Sequence, residues 1–124
     1  MPLNYNRLVV DELDRERTTR IFRALGDATR RDIVGRTLRR EHSVSGLARL
    51  YPMSFAAVQK HVAVLDAAGL VTKRRQGREV VVTGNVETVR EASRVLDQLE
   101  AVWRGRIDRI GEILAQDRRG GTKR

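Results

Sequence analysis

The stretch that decides the fold lies in the middle of the chain and reads MSFAAVQKHVAVLDAAGLV at 53–71, followed directly by TKRRQGREVVV at 72–82. Its first part predicts a short amphipathic helix, because Val58, Val62 and Leu65 recur at spacings of four and three residues and therefore share one face. Ser54 is a preferred N-cap and Gly69 a preferred residue just past a helix, so they predict its two ends.

The second part of this stretch predicts a β-hairpin with a strongly basic tip. Two runs rich in β-branched and aliphatic residues, 70–75 and 78–83, flank the turn signal Gln76-Gly77. The four cations near this turn are Lys73, Arg74, Arg75 and Arg78. Such a cluster repels itself, and DNA phosphates would relieve the repulsion. The alternative is a solvated loop that only raises solubility.

The period of the helix also identifies the face that points away from the core. Near its N-terminus the outward positions are Phe55, Ala56, Gln59, Lys60 and Ala63. A helix that enters the major groove presents its first two turns to base edges. Gln59 suits adenine N6 and N7, Lys60 suits guanine or a phosphate, and Phe55 or Ala56 could contact a thymine methyl group. The Ser54 hydroxyl could bond a phosphate. In the alternative, Phe55 packs under the preceding turn and Gln59 is solvated.

The segments before this helix predict two longer helices. Apolar positions indicate helical structure over about 8–25, as one helix or two short ones. Gly26 ends it, as a residue that tolerates a positive φ. Asp27 then caps a helix over 28–38.

A short helix links this pair to the decisive stretch. Residues 39–42 form a polar connection, and Ser43 caps a helix over 44–50. The segment 51–53 cannot continue that helix, because its proline lacks an amide donor and restricts the residue before it. Three helices in this order, followed by a basic hairpin, are the layout of a winged helix-turn-helix domain.

From about Val86 to Ala115 the pattern is helical again, and one apolar stripe runs along the segment. Leu96, Trp103 and Ile110 lie seven residues apart, so the stripe is close to a heptad repeat, which Arg106 interrupts. A helix of ~30 residues is long for a small domain and cannot bury its whole stripe against so short a chain. We therefore expect a second copy of the chain to cover Leu96, Leu99, Trp103, Ile107, Ile110 and Leu114.

Length and composition bound the remaining possibilities. The 124 residues suit a single domain over 1–117, followed by a basic, glycine-containing segment, 118–124, that we expect to be a disordered tail. The formal net charge of +9 favours a polyanionic partner, nucleic acid first and an anionic membrane second. No apolar run approaches the ~18–20 residues that cross a bilayer, and the N-terminus shows no signal peptide. The absence of cysteine excludes disulfides, so we expect a cytoplasmic protein associated with the nucleoid.

These predictions describe a mainly α-helical fold with about five helices, a small two-stranded hairpin as the wing, and a long C-terminal dimerisation helix. At this point the sequence resembles the ArsR-like winged helix-turn-helix transcriptional regulators of bacteria, in the branch without a cysteine metal site. The matching segments are ALGDATRRDI at 24–33, VSGLA at 44–48, MSFAAVQKH at 53–61, RQGR at 75–78 and WRGRIDR at 103–109.

The resemblance implies a homodimer built from the first and last helices, which adds Leu13 to the expected dimer interface. It implies two recognition helices that read a palindromic operator in double-stranded DNA, and a repressor role that is often autoregulatory. It also adds His61 to the groove-facing positions. Two residues depart from the family pattern: Ala28 stands where proline is usual, and Gly46 where glutamate is usual. Both departures affect helix starts and should cost stability more than function.

Metal sensing is a known trait of the family, but this chain lacks the usual ligands. It has no cysteine and no histidine beyond His61. Glu41 and His42 are the remaining combination of carboxylate and imidazole, and we expect no metal there and no cofactor elsewhere. A small organic effector, a partner protein or no ligand at all stays open. Trp103 fits a core position in the dimer seam better than the wall of an effector pocket.

Two other functions are compatible with the sequence. One is a non-specific, nucleoid-type DNA-binding protein with the same fold, and the other is a regulator that senses a small organic ligand at the dimer interface. We do not expect an enzyme, because the chain has no glycine-rich phosphate loop and no cysteine nucleophile. Its acidic residues stand mostly beside arginine, as on solvated helix faces.

Overall fold

Five helices and three strands are found in the computed structural model, which describes the backbone of residues 2–122 and the side chains of residues 12–119. In chain order the elements are α1 (Pro2–Leu25), α2 (Ala28–Arg39), β1 (His42–Ser43), α3 (Val44–Ala48), α4 (Phe55–Ala67), β2 (Val71–Gln76), β3 (Glu79–Gly84) and α5 (Val86–Thr122). They divide into two compact units, Met1–Ala92 and Ser93–Arg124. The predicted mainly α-helical class with a β-hairpin wing is confirmed.

Side-chain caps begin three of the helices, at the residues that the sequence indicates. Asp27, Ser43 and Ser54 each accept a hydrogen bond from the backbone N–H three residues further on, at 3.0 to 3.1 Å. Each bond satisfies an amide that has no partner within the first turn of its helix. The starts of α2, α3 and α4 are therefore fixed by local chemistry.

Glycine ends α4 in the predicted way, whereas the glycine after α1 acts differently. Gly69 has a φ of +78°, and the amides of Gly69 and Leu70 donate to the carbonyls of Asp66 and Leu65 at 3.0 and 2.9 Å. This is the double hydrogen bond of a Schellman motif. Gly26 does not adopt a positive φ, so that expectation is wrong. Instead, a Cβ at Gly26 would lie 3.1 Å from the backbone oxygen of Arg23.

The sheet has three strands rather than the two that the sequence predicts. Its order is β1-β3-β2, all antiparallel, because the two residues of β1 pair with Val81 and Val82 of β3. A two-residue strand carries no periodic signal, so a polar connection was all that its sequence could indicate. The hairpin turn is also one residue later than expected: the two strands enclose Gly77-Arg78, with Gln76 opposite Glu79.

The core of the first unit lies where α1 to α4 meet one face of the sheet. Its members are Ile21, Ala24, Ile33, Val34, Val44, Leu47, Val58, Val62, Leu65, Ala68, Leu70, Val71, Val82 and Ala92. The inward face of α4 that the sequence predicts is thus confirmed at all three positions. Because this face anchors the helix, its other side is held toward solvent.

The last helix is longer than predicted, since α5 spans 37 residues and reaches Thr122 rather than about Ala115. Its backbone therefore enters the segment expected to be a disordered tail. Residues 123–124, and all side chains from 120 onward, lie outside the described residues. The disordered tail and the single domain over 1–117 stay predictions.

Candidate nucleic-acid interface

The solvent-facing side of α4 displays most of the residues predicted to read bases. Phe55, Ala56, Gln59 and Lys60 are all exposed, and the Phe55 ring keeps 47% of its surface accessible. The alternative, in which Phe55 packs under the preceding turn, does not fit this exposure. Ser54 is exposed as well, with its oxygen accepting from the amide of Ala57 at 3.1 Å. Its hydroxyl proton therefore remains able to donate to a phosphate.

A cleft of about 250 Å³ lies between this helix and the wing, which is formed by β2, β3 and their turn. The residues that line it are Val44, Ser45, Phe55, Gln59, Val62, Lys73, Arg78, Glu79 and Val80. The fold thus brings the aromatic and amide side chains of α4, the predicted recognition helix, next to two of the wing cations. Residues separated by about twenty positions in sequence form one surface.

The turn of the wing contains a glycine that its backbone conformation requires. Gly77 has a φ of +65°, whereas Arg78 does not adopt a positive φ. A positive φ at the first central residue alone is the pattern of a type II′ turn, which suits the twist of a hairpin. The turn therefore places Arg78 at the tip, with Arg75 in the second pair of the ladder below the turn, opposite Val80.

The four wing cations differ in their surroundings. The Lys73 ammonium lies 3.9 Å from a carboxylate oxygen of Asp66, at the end of α4. Arg74 forms a 2.8 Å ion pair with Glu41, which directly precedes β1. Within residues 12–119, neither Arg75 nor Arg78 has an ion pair or a side-chain hydrogen bond.

His61 lies on the side of α4 that faces the start of α2. Its Nδ1 atom is 3.4 Å from a guanidinium nitrogen of Arg30 and 4.0 Å from a carboxylate oxygen of Asp27, and the ring is only partly exposed. The structure therefore does not bring His61 together with the exposed residues that are predicted to read bases. Its predicted contact with DNA remains untested.

Arg30 is a structural residue that the sequence reasoning missed. Its guanidinium donates to the backbone oxygens of Ala24 and Arg23 at 2.7 and 3.1 Å, while Arg31 donates to that of Leu25 at 2.6 Å. These bonds engage the last carbonyls of α1, of which that of Arg23 also accepts from the amide of Gly26 at 3.1 Å. The only signal in the sequence is a pair of arginines in the first turn of the next helix. The backbone N–H of Arg30 also lowers the pKa of the capping Asp27 below its ordinary value.

A second group holds the turn that precedes α4. The Tyr51 hydroxyl donates to the carboxylate of Asp32 on α2, and the Arg36 guanidinium pairs with the same carboxylate at 2.7 Å. Arg36 also lies 5.8 Å from the centre of the tyrosine ring. The Tyr51 hydrogen bond, followed by Arg36, lowers the pKa of Asp32. Burial, followed by that hydrogen bond, raises the pKa of Tyr51 to about 12.

The predicted dimer residues of α5 are exposed in the single chain. Leu96, Leu99, Trp103, Ile107, Ile110 and Leu114 each keep between 47 and 64% of their surface accessible. Leu13, on α1 in the other unit, is 58% exposed. Arg106, which interrupts the stripe, lies 5.7 Å from the centre of the Trp103 ring. The six apolar side chains of the stripe are therefore without a partner element within residues 93–119.

Two other kinds of site were sought among the described residues. No group of three or more His, Asp or Glu side chains between residues 12 and 119 could hold a metal ion. Over the same part of the chain, no helix is both long enough and apolar enough to span a bilayer. Glu41, one half of the carboxylate and imidazole pair considered above, instead pairs with Arg74.

Comparisons with known proteins point to one class of regulator. No family model matches the chain. It is 38% identical over 77 residues to the uncharacterized HTH-type transcriptional regulator YuzN of Bacillus subtilis (strain 168), covering 56% of this chain and 84% of that protein.

Solved structures show the same likeness. An ArsR-like transcriptional regulator from Rhodococcus sp. RHA1 is 32% identical with a TM-score of 0.71, covering 81% of this chain and 94% of that one. Another ArsR family transcriptional regulator is 30% identical with a TM-score of 0.68, covering 72% and 92%. The homodimeric winged helix-turn-helix DNA-binding domain Mb0332 from Mycobacterium bovis shares the fold at 21% identity, with a TM-score of 0.58 and coverage of 68% and 80%. The chain belongs to the ArsR family of winged helix-turn-helix transcriptional regulators.

Proposed function

We propose that this regulator binds a palindromic operator as a homodimer and represses transcription, including that of its own gene, at the nucleoid in the cytoplasm. The observation that carries the proposal is the exposed first half of α4 beside a basic wing. Gln59 and Lys60 are presented to solvent there, and Arg75 and Arg78 extend from the wing without a protein partner among the described side chains. The partner of this surface is double-stranded DNA.

The exposed side chains divide the recognition between them. Gln59 would bond adenine N6 and N7 and Lys60 guanine O6 and N7, because their donors and acceptors match those base edges. Phe55 and Ala56 would contact a thymine methyl group. The Ser54 hydroxyl and the wing would bind phosphates, which position the protein without reading sequence.

The homodimer follows from the apolar stripe of α5. Six large apolar side chains at nearly heptad spacing are half exposed or more in the single chain, and a soluble monomer rarely leaves so large a patch open. A second copy offers an identical stripe, and pairing the two copies about a twofold axis buries both. Two recognition helices held by such an axis would read half-sites ~34 Å apart, which makes the operator a palindrome.

Repression follows from the size of that footprint. A dimer bound across two successive turns of a promoter would occupy the DNA that RNA polymerase needs. We expect an affinity for the operator of about 10⁻⁸ to 10⁻¹¹ M, weakening steeply as salt rises.

The decisive experiment reverses the charge at Lys60. Labelled DNA from directly upstream of the gene is titrated with the parent protein and with Lys60→Glu, in an excess of random duplex. The parent should form a specific shift, and the variant should lose it, because a carboxylate cannot donate to guanine and repels phosphate. Lys60→Met keeps an unbranched side chain of similar length but removes the charge. Its affinity for the upstream DNA should lie between those of the parent and Lys60→Glu.

Melting and circular dichroism provide the folding control, since Lys60 is exposed and should not affect stability. A folded Lys60→Glu protein that binds like the parent contradicts the assignment of α4 as the recognition helix. If excess random duplex displaces the parent protein from the upstream DNA, the non-specific, nucleoid-type function is supported instead.

A further inference from the structure

The wing sheet separates its cations between two faces. Side chains alternate along a strand, so Lys73 and Arg75 share the face of buried Val71, whereas Arg74 points to the opposite face. Val71, and Val82 opposite Lys73, belong to the core that also contains the inward face of α4, and the Lys73 ammonium lies 3.9 Å from Asp66 of that helix. The first face is therefore the one toward α4. Arg74 therefore projects away from the helix that would enter the groove.

Arg74 already has a carboxylate partner on that opposite face. It stands opposite Val81 of β3, and Val81 in turn stands opposite Ser43 of β1. The guanidinium therefore crosses the central strand to reach Glu41, two residues before Ser43, at 2.8 Å. The same nitrogen donates to the side-chain oxygen of Gln76 at 3.2 Å. These contacts tie the outer strand of the wing to the far edge of the sheet.

The first face carries a longer, weaker ion pair of the same kind. Lys73 lies 3.9 Å from Asp66, so the base of the wing is linked to the C-terminal end of α4 as well. Both contacts sit below the turn, toward the body of the unit. Arg75 and Arg78, nearer the tip, have no ion-pair partner among residues 12–119. The four wing cations look alike in the sequence, but they differ in the fold. Lys73 and Arg74, at the base of the wing, have carboxylate partners, whereas the two arginines nearer the tip have none among residues 12–119.

We infer that Arg74 is a positioning residue that holds the wing through Glu41, and that Arg75 and Arg78 make the phosphate contacts of the wing. This inference rests on the proposed DNA-binding function. A guanidinium already engaged by a carboxylate on the far face releases no counterions when DNA arrives. The tip arginines exchange solvent and counterions for phosphates, so they contribute to the salt dependence of binding.

The test compares two adjacent arginines that undergo the same chemical change. Arg74→Gln and Arg75→Gln remove the same charge one residue apart, and each is titrated onto a labelled duplex of random sequence over a series of salt concentrations. For each phosphate that a variant no longer neutralises, the slope of log affinity against log salt should become shallower by about 0.9. We expect that change for Arg75→Gln and for Arg78→Gln, and a slope equal to that of the parent for Arg74→Gln.

A charge swap tests the ion pair between Arg74 and Glu41. Arg74→Glu alone should weaken binding, because it places two carboxylates together and releases the wing. Adding Glu41→Arg re-forms the pair with its charges exchanged and should restore both the affinity and the slope of the parent. Glu41→Arg alone, which adds the same charge without re-forming the pair, is the control that separates this rescue from a general gain of positive charge.

The outcomes separate this inference from the proposed function. If the parent binds no duplex, the DNA-binding proposal fails and the division of the wing fails with it. If the parent binds, two results would each overturn the positioning role of Arg74 alone. One is a salt slope that Arg74→Gln makes as shallow as Arg75→Gln does. The other is a charge-swapped protein that binds as weakly as Arg74→Glu. Circular dichroism and melting of each variant identify any change that arises from unfolding.

Discussion

At the scale of single residues, the recognition helix depends on contacts that lie outside it. Tyr51, in the turn before α4, is held by Asp32 and Arg36 of α2. His61, on the helix itself, faces Arg30 and Asp27 at the other end of α2. Two groups on one neighbouring helix thus contact α4 or the turn before it, so side chains of α2 help to set the orientation of α4.

The Tyr51 hydroxyl gives a prediction about pH. Its pKa is raised from 10.0 to about 12, so the folded chain holds this proton more tightly than the unfolded chain does. The resulting contribution to stability is full below the unfolded pKa and is lost as the pH rises through about 12. Subtracting the absorbance titration of Tyr51→Phe from that of the parent isolates this phenol and should give a midpoint near 12. A midpoint near the ordinary tyrosine pKa would show that neither the burial of the phenol nor its bond to Asp32 persists in solution.

At the scale of elements, glycine has opposite effects in the wing and in the last helix. Gly84 ends β3 against α2, where a Cβ would lie only 2.8 Å from the backbone nitrogen and the Cγ atom of Leu38. Gly105 lies within α5, is exposed, and has no atom within 4 Å of the position of a Cβ. It comes nine residues after Leu96, half a turn away from the apolar stripe. The first glycine is required by close packing, while the second only weakens its helix.

Alanine at these two sites should therefore change the free energy of unfolding in opposite directions. Gly105→Ala should raise it by about 1 kcal/mol, because alanine loses less conformational entropy in a helix. Gly84→Ala should lower it by roughly 1–3 kcal/mol through overpacking against Leu38. Urea denaturation at one fixed protein concentration measures both. A stabilised Gly84→Ala would mean that α2 and β3 are less closely packed than the structure shows.

At the scale of the whole molecule, we expect the long helix α5 to determine whether the chain is a monomer or a dimer. Its stripe lies in the second unit, Ser93–Arg124, and none of the six large apolar side chains along it is buried. Burial of apolar surface favours association by about 25 cal/mol for each Å² removed from water, and six half-exposed side chains supply several hundred Å² on each copy. The stability of the protein should therefore depend on its concentration.

Replacing Leu99 and Trp103 together by alanine should convert a dimer into a monomer or an unfolded chain. The matched control is Gln98→Ala with Glu112→Ala, two exposed residues on the opposite side of α5, which should leave the assembly unchanged. Sedimentation velocity over a range of concentrations distinguishes these cases. A parent protein that sediments as a folded monomer at every concentration would exclude the α5 dimer.

The sequence by itself determined the elements whose signals are local. The caps at Asp27, Ser43 and Ser54 and the glycine stop at Gly69 are satisfied by atoms within a few residues, so composition and spacing were enough to place them. The buried face of α4 followed from its period for the same reason. The exposed face of that helix, and with it Gln59 and Lys60, followed directly from the buried one.

Tertiary structure alone decided which distant side chains meet. The two-residue strand β1 exists only because β3 offers it hydrogen bonds, so no local pattern could have revealed it. Strand alternation alone puts Arg74 and Arg75 on opposite faces of the hairpin. Only the pairing of β1 with β3 brings Glu41 to the face of Arg74, so the sequence could not show that Arg74 has a carboxylate partner. Periodicity reports which side of an element is buried, whereas the partner of each polar group depends on the elements that folding brings beside it.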